Sequence, residues 1–323
     1  ALIYGVGEYF ISTAALSRML GNWFQSHLGV VTGIVMAASG VGGSALSLVL
    51  SGIMESAGWR TSLLFAAGLL AAVAVMIFFV MKDRPEELGL QPYHDPERRG
   101  AAHKPKKVAT PWAGVPMQVL LKKPYFYLTM IGMMLATIAS NGVYSAVVPH
   151  LQDRGLSAAY AAKMLSLMLV LLAVDKIVLG MLADRFGAHF STLLCVLFTF
   201  SGIVVLTLVK NEWQAVIAVV LLSVSVCLNG FIQPLLAAEI FGRSAYNTTL
   251  GIMMAMLSVG GLLSSPLVNF SFDATGSYTR ILIVLAVIAA VDALFLLPAF
   301  HAEAKYRREL ETSGQLSDAG PET

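Results

Sequence analysis

The sequence predicts an all-α integral membrane protein, on three observations. Hydrophobic residues make up 57% of the 323 and charged residues only 12%, where soluble proteins carry roughly 25% charged. The apolar residues gather into nine stretches of 20 to 26 residues, and at about 1.5 Å per residue each can cross a hydrocarbon core about 30 Å thick. The alternation that a membrane strand needs is absent, which excludes a β-barrel.

The stretches run over 1–20, 28–53, 60–81, 125–148, 160–182, 190–209, 214–238, 247–270 and 279–299. The first contains Glu8 and has neither a basic leading segment nor a small-residue cleavage site, so it reads as a membrane helix and not as a signal peptide. After the third comes the main linker, 82–124, rich in proline and containing the basic run His103-Lys-Pro-Lys-Lys107. Its last part, Trp112 to Lys123, mixes apolar and basic residues and predicts a helix lying in the membrane interface. The basic run reads as the positive-inside signal before it reads as a lipid site. The tail 301–323 is polar and predicted to be disordered beyond Glu311.

Charge sets the expected orientation. With the N-terminus outside, fifteen of the 21 Lys and Arg fall on the inner side and five on the outer. N-out, C-in is therefore predicted, with the linker and tail cytoplasmic. Net charge is only +2 and the cations are scattered, so nucleic acid is not an expected partner. Cys195 and Cys227 both lie in apolar stretches and supply neither a disulfide framework nor a metal site. Gly40-Val-Gly42-Gly-Ser-Ala45 imitates a dinucleotide fingerprint, but no strand precedes it and close helix packing explains it better. Hydrolase, zincin and phosphate-loop motifs are absent, so no enzyme, cofactor or metal is expected. The stretches group as 1–81, 125–209 and 214–299, a pattern of three-helix repeats that suits a transporter, although an odd total is awkward for that plan.

The sharpest local signal is Gly180-Met-Leu-Ala-Asp184-Arg185-Phe-Gly187 at the end of the fifth stretch: a close-packing glycine, a charge pair at a helix end and a turn glycine. It resembles the Gly-x-x-x-Asp-Arg-x-Gly signature that joins helices 8 and 9 in the major facilitator superfamily. The resemblance implies that the nine stretches are helices 4 to 12 of a twelve-helix carrier. Residues 1–81 would then be the remnant of the N-terminal half, 82–124 the central cytoplasmic linker, 125–300 the C-terminal half and 301–323 a cytoplasmic tail, with helices 1 to 3 outside this sequence. Asn22-Trp23-Phe24, Gly58-Trp59-Arg60, Arg84-Pro-Glu-Glu-Leu-Gly-Leu-Gln-Pro-Tyr93, Pro149-His-Leu-Gln-Asp-Arg-Gly-Leu-Ser157 and Asp273-Ala-Thr-Gly-Ser-Tyr278 are similar to segments of the oxalate/formate antiporters and monocarboxylate carriers.

By that resemblance Asp184 and Arg185, flanked by Gly180 and Gly187, latch one access state against a neighbouring helix end. His189 stands where the family usually has Arg or Lys, which weakens the latch or makes it pH-sensitive; a solvated loop histidine is the simpler reading. Four ionisable residues lie deep within apolar stretches: Glu8, Asp175, Lys176 and Asp292. Each is costly there and is a functional candidate. Lys176 shares a helical face with Ala173, Gly180 and Ala183, and it occupies the place at which the resembled families hold a cation against the substrate carboxylate. A structural ion pair is the alternative. Asp175, on a bulkier face, is the candidate for proton coupling, whereas Glu8 and Asp292 read as hydrogen-bonded or snorkelling residues.

Thr137, Asn141, Tyr144 and Ser145 form one polar stripe, and Ser225, Asn229 and Gln233 another. Such stripes line a water-filled path or glue helices together. The family geometry favours the path, making Asn141, Tyr144, Asn229 and Gln233 substrate contacts, with Pro234 and Pro266 positioned to kink their helices. The expectation is thus a monomeric, proton-coupled carrier of a small carboxylate, a monocarboxylate by preference, in a bacterial-type inner membrane. A drug or sugar exporter of the same fold, or a non-transporting sensor or partner subunit, is the alternative.

Overall fold

The computed structural model describes residues 13–24, 27–82, 84–93 and 114–312. Among them the chain is helical throughout: α1 (Thr13–Trp23), α2 (Leu28–Val80), α3 (Met117–Leu120), α4 (Pro124–Asp153), α5 (Ala158–Phe186), α6 (Ala188–Thr207), α7 (Glu212–Ser225), α8 (Ile232–Thr275) and α9 (Tyr278–Thr312), with 3-10 turns at Pro85–Leu88 and Val226–Leu228. Six helices are long and apolar enough to cross a membrane among the described residues, or seven if one bent pair counts as a single span. Glu8 and most of the first stretch lie outside the described residues.

The stretches 28–53 and 60–81 are the two arms of α2, which breaks at Gly58 with φ 82° and ψ 164°. The stretch 247–270 is likewise the second arm of α8, beyond a break at Gly242 with φ 70° and ψ −174°. Both breaks use a backbone region that essentially only glycine reaches. Polar side chains cap the starts of α5 and α7. Ser157 accepts from the N–H of Tyr160 at 3.2 Å, and Asn211 from that of Gln214 at 3.0 Å.

Two expectations need correction. Trp112 to Lys123 does not form an interfacial helix over its described part, which holds only the single turn Met117–Leu120. Pro124 opens α4 and keeps Lys123 extended (φ −102°, ψ 130°), so the turn cannot run on into it. Nor is 214–238 a continuous helix. After α7 and its 3-10 turn the chain unwinds through Asn229 and Gly230, and the axis bends by 50° before α8 resumes. Pro234 explains the place: it has no N–H for the Gly230 carbonyl, and its ring would collide with that group in an unbroken helix.

Two apolar clusters form the core of 114–312. One surrounds Tyr125, Phe231, Phe241 and Leu296; the other surrounds Leu151, Ile203, Leu206, Val219 and Leu285. Tyr125 and Phe241 stack at 6.3 Å between centroids. The second arm of α2 joins neither cluster, and none of its most apolar 18-residue window is buried. The first arm of α2 is different: it packs along α5, and this seam positions the candidate site.

Candidate functional site

The seam begins where α2 starts. The first N–H groups of a helix have no partner within it and attract negative charge. His27, at the N-cap, makes no side-chain hydrogen bond to them. Asp184 of α5 supplies it instead, accepting from Gly29 N at 2.8 Å and from Val30 N at 3.0 Å. The two backbones come close because both residues at the contact are glycine: a Cβ on Gly180 would strike the carbonyl of Gly29, and one on Gly29 that of Gly180. A turn further along, a Cβ on Gly33 would meet the backbone of Lys176 and Ile177.

Lys176 stands next on the same face, half-buried, and its Nζ donates to the carbonyl oxygen of Met36 at 3.1 Å. Asp175 turns elsewhere. Its carboxyl lies on the side of Ser223 on α7, and Oδ2 is buried with no hydrogen-bond partner among the described residues. The small-residue face of α5 that contains Gly180 and Lys176 therefore borders a close helix contact with α2, while its neighbour Asp175 looks toward α7.

Beyond Asp184 the chain turns sharply. Gly187 (φ 91°, ψ 160°) ends α5 and begins α6, and Glu239 of α8 covers the turn closely enough that a Cβ on Gly187 would come within 2.8 Å of its Oε1. Glu239 accepts from the N–H of Ala188 and pairs with His189 Nδ1. His189 Nε2 lies 3.6 Å from Glu303 Oε2, and Phe300 meets the imidazole edge-on at 4.5 Å. His189 is thus not the solvated loop residue that the sequence allowed, because two carboxylates from two other helices converge on it. Arg185 stays exposed over the ring of Phe186, 5.1 Å from its centroid.

A second polar cluster sits at the break after α7. Asn229 Nδ2 donates to Asn141 Oδ1 at 2.8 Å and to Ser140 Oγ at 3.0 Å. The second arm of α8 closes on the same face of α4, where a Cβ on Gly261 would lie 3.3 Å from Asn141 Nδ2 and one on Gly260 3.1 Å from Thr137. Two stripe residues thus meet directly, and they join helices here. Ser225, Asn229 and Gln233 do not share one helical face, since that spacing presumes the unbroken helix that the structure lacks. Gln233 is fully buried, and its amide has no hydrogen-bond partner among the described residues. Tyr144 is 37% exposed and outside this cluster. Asp292 is 1% exposed and packs against Gly132 of α4, with no hydrogen bond to its Oδ1 among the described residues; it does not snorkel.

The short strings noted in the sequence also meet in pairs. Tyr93 N donates to Trp23 O at 2.8 Å, and Trp23 Nε1 to Lys82 O at 3.0 Å. The Ser277 hydroxyl donates to Asp153 Oδ2 at 3.5 Å, and beside them Arg154 reaches the Thr207 carbonyl at 2.7 Å and the Thr279 hydroxyl at 3.2 Å. Sequence reasoning missed Ser140, Glu239 and the seam partners Gly29, Gly33 and Met36. The four-residue spacing of Gly29 and Gly33 is the small-residue signal that could have found the seam. Glu239 lay one residue beyond the assigned end of its stretch. Among the described residues no cluster of three His, Cys, Asp or Glu could hold a metal ion.

Comparison with known proteins agrees with this architecture. The chain is 24% identical to monocarboxylate transporter 12 of Rattus norvegicus, over 99% of its own length and 69% of that protein's. It is 25% identical to monocarboxylate transporter 13 of the same species, over 93% and 67%. To the MFS transporter asaE of Aspergillus flavus it is 23% identical, over 91% and 62%. It spans 57% of human monocarboxylate transporter 12. Among solved structures it resembles the Major Facilitator Superfamily transporter FucP in its outward conformation, with a TM-score of 0.52 and 15% identity over 75% of this chain and 55% of that one. The profile of the Major Facilitator Superfamily matches residues 1–238. The chain is a multi-pass membrane protein that belongs to the Major Facilitator Superfamily, a family of transporters and not of enzymes.

Proposed function

We propose that this chain works within a proton-coupled carrier that moves a small monocarboxylate across the cell membrane by alternating access, with Lys176 as the substrate's cation. The observation that carries this reading is the position of Lys176: a cation within a long apolar helix, on the face that packs against α2. A carboxylate leaving water needs a charge-assisted hydrogen bond in exchange, and a half-buried ammonium offers one. The similarity to monocarboxylate transporters 12 and 13 supports the substrate class. Asn141, Asn229, Gln233 and Tyr144 are the polar groups assigned to orient the substrate, and Asp175 to the coupling proton. Asp184 and Arg185, at Gly180 and Gly187, form the gate. The linker and the C-terminal tail face the cytoplasm, and the carrier acts as a monomer.

The test is uptake of labelled short monocarboxylates into proteoliposomes holding the carrier that contains this chain, with and without an inward proton gradient. Truncating one member of a buried charge pair costs roughly 2 to 5 kcal/mol, so Lys176→Ala should lower apparent affinity by a factor of about 30 or more. Lys176→Arg should keep partial activity, because the charge stays and its geometry changes. Uptake with unchanged affinity and rate in Lys176→Ala would remove the lysine from the site. A second reading has one observation in its favour: the bond from Lys176 to Met36 O is what a purely structural lysine would make. Under it the substrate is an uncharged sugar or drug, and monocarboxylates would neither be carried nor compete.

A further inference from the structure

We propose that Lys176 is shared between two acceptors, the Met36 carbonyl when the site is empty and the substrate carboxylate when it is filled, so that binding itself loosens the α2–α5 seam. This rests on the carboxylate reading above and adds to it how occupancy reaches the gate. The seam is held at three levels along one line: Asp184 on the first N–H groups of α2, Gly180 against Gly29, and Lys176 on Met36 O. Glycine contacts hold by fit and do not respond to a ligand. Asp184 is an anion and repels one. The Lys176 bond alone uses a group for which an anionic substrate can compete.

The competition has a definite sign. A neutral carbonyl is a weaker partner for an ammonium than a carboxylate is. An anion therefore takes the lysine from Met36, and the carbonyl, in the body of α2, keeps its intrahelical partner. A ligand shifts a conformational equilibrium only as far as its affinity differs between the two states. Here the difference is built in: with the seam closed the anion must displace Met36, and with the seam open it need not. Anion binding and seam opening then favour each other, as reciprocal linkage requires.

The experiment reads the seam without transport. Spin labels at Ile34 and Met181, both exposed and on the two facing helices, report the separation of α2 and α5 by pulsed electron resonance in detergent, with sodium lactate, pyruvate and acetate as probes and sodium chloride as control. Binding of each labelled anion is measured separately by equilibrium dialysis. Without anion, Lys176→Met, which cannot donate, should raise the ratio of wide to narrow separations about tenfold, while Lys176→Arg, which can, should stay close to wild type. An anion that binds wild type should raise the wide fraction in wild type and leave Lys176→Met unchanged. If wild type binds an anion and the separation does not move, or if Lys176→Met matches wild type without anion, the shared-lysine proposal is wrong and the carboxylate reading stands. If none of the three anions binds wild type, both fall. Lys176→Arg, with its charge and donor retained, guards against a result that only reflects misfolding.

Discussion

Asp184 caps the start of α2, more than 150 residues before it in the chain, its two carboxylate oxygens taking the backbone N–H groups of Gly29 and Val30 at 2.8 and 3.0 Å. An N-cap exchanged for alanine costs about 0.5 to 2 kcal/mol, and the anion adds a dipole interaction with the helix start. Asp184→Ala should lower the thermal midpoint of the purified chain by a few degrees, and Asp184→Asn, which keeps an acceptor but no charge, by less. Differential scanning fluorimetry in detergent decides it. Equal midpoints in all three proteins would mean that the cap does not hold α2.

The glycines of the seam should behave unlike other glycines of the same helix. Gly29→Ala puts a methyl group against the Gly180 carbonyl, and Gly180→Ala does the reverse; neither backbone can step aside cheaply. Overpacking of this kind costs about 1 to 3 kcal/mol. Gly52, also in α2, has nothing within 4 Å of the place its Cβ would take. Gly52→Ala should be neutral or stabilising by up to about 1 kcal/mol, since alanine is the better helix former. The prediction is the contrast, read as midpoints of the three variants in one detergent.

The seam also shows how far the sequence could be read. The apolar stretches gave the helices because a span must be long and apolar to exist at all, and six or seven of them stand among the described residues. The Gly180 to Gly187 signature marked a real junction because its residue types are demanded by local geometry: close approach, a helix end and a turn at φ 91°. Partners were less visible. Nothing local to Asp184 specifies that its acceptors serve Gly29 and Val30, and Met36 takes part through a carbonyl, which every residue has. The break at Asn229 was hidden because periodicity assumes a continuous helix, although Pro234 signals its position.

Asn229 ties that break to α4. Removing it leaves a hydrogen-bonded group of Asn141 and one of Ser140 without their partner in a half-buried place, at a cost of about 1 to 3 kcal/mol. Asn229→Ala should lose that stability, and Asn229→Ala combined with Asn141→Ala should lose less than the sum of the two single changes, as contacting residues do. Strict additivity in a double-mutant cycle of unfolding midpoints would show that the two side chains act independently.

Orientation can be tested with the native cysteines in place. Cys195 and Cys227 are both buried, so a new surface cysteine is read against a quiet background. The excess of Lys and Arg in 82–124 predicts a cytoplasmic linker. Lys104→Cys should resist a membrane-impermeant maleimide in sealed cells and react once they are opened. Labelling of sealed cells would invert the assignment.

Glu239 and His189 join the start of α6 to α8, and their two contacts can be separated. Glu239 serves both the Ala188 N–H and the His189 imidazole, so Glu239→Ala removes a helix cap and a side-chain pair together. His189→Ala removes only the pair, but it leaves Glu239 and the nearby Glu303, 4% exposed, with less compensation. A cap is worth about 0.5 to 2 kcal/mol, and a hydrogen bond to a charged group about 1.5 to 3. Glu239→Ala should therefore be the more damaging change. His189→Arg restores a cation and places the family's usual residue type at the position. It should retain most of the wild-type midpoint, with the longer side chain spanning the same two carboxylates. If His189→Ala is as stable as wild type while Glu239→Ala is not, the cap on Ala188 is the whole of the interaction and the histidine is a bystander.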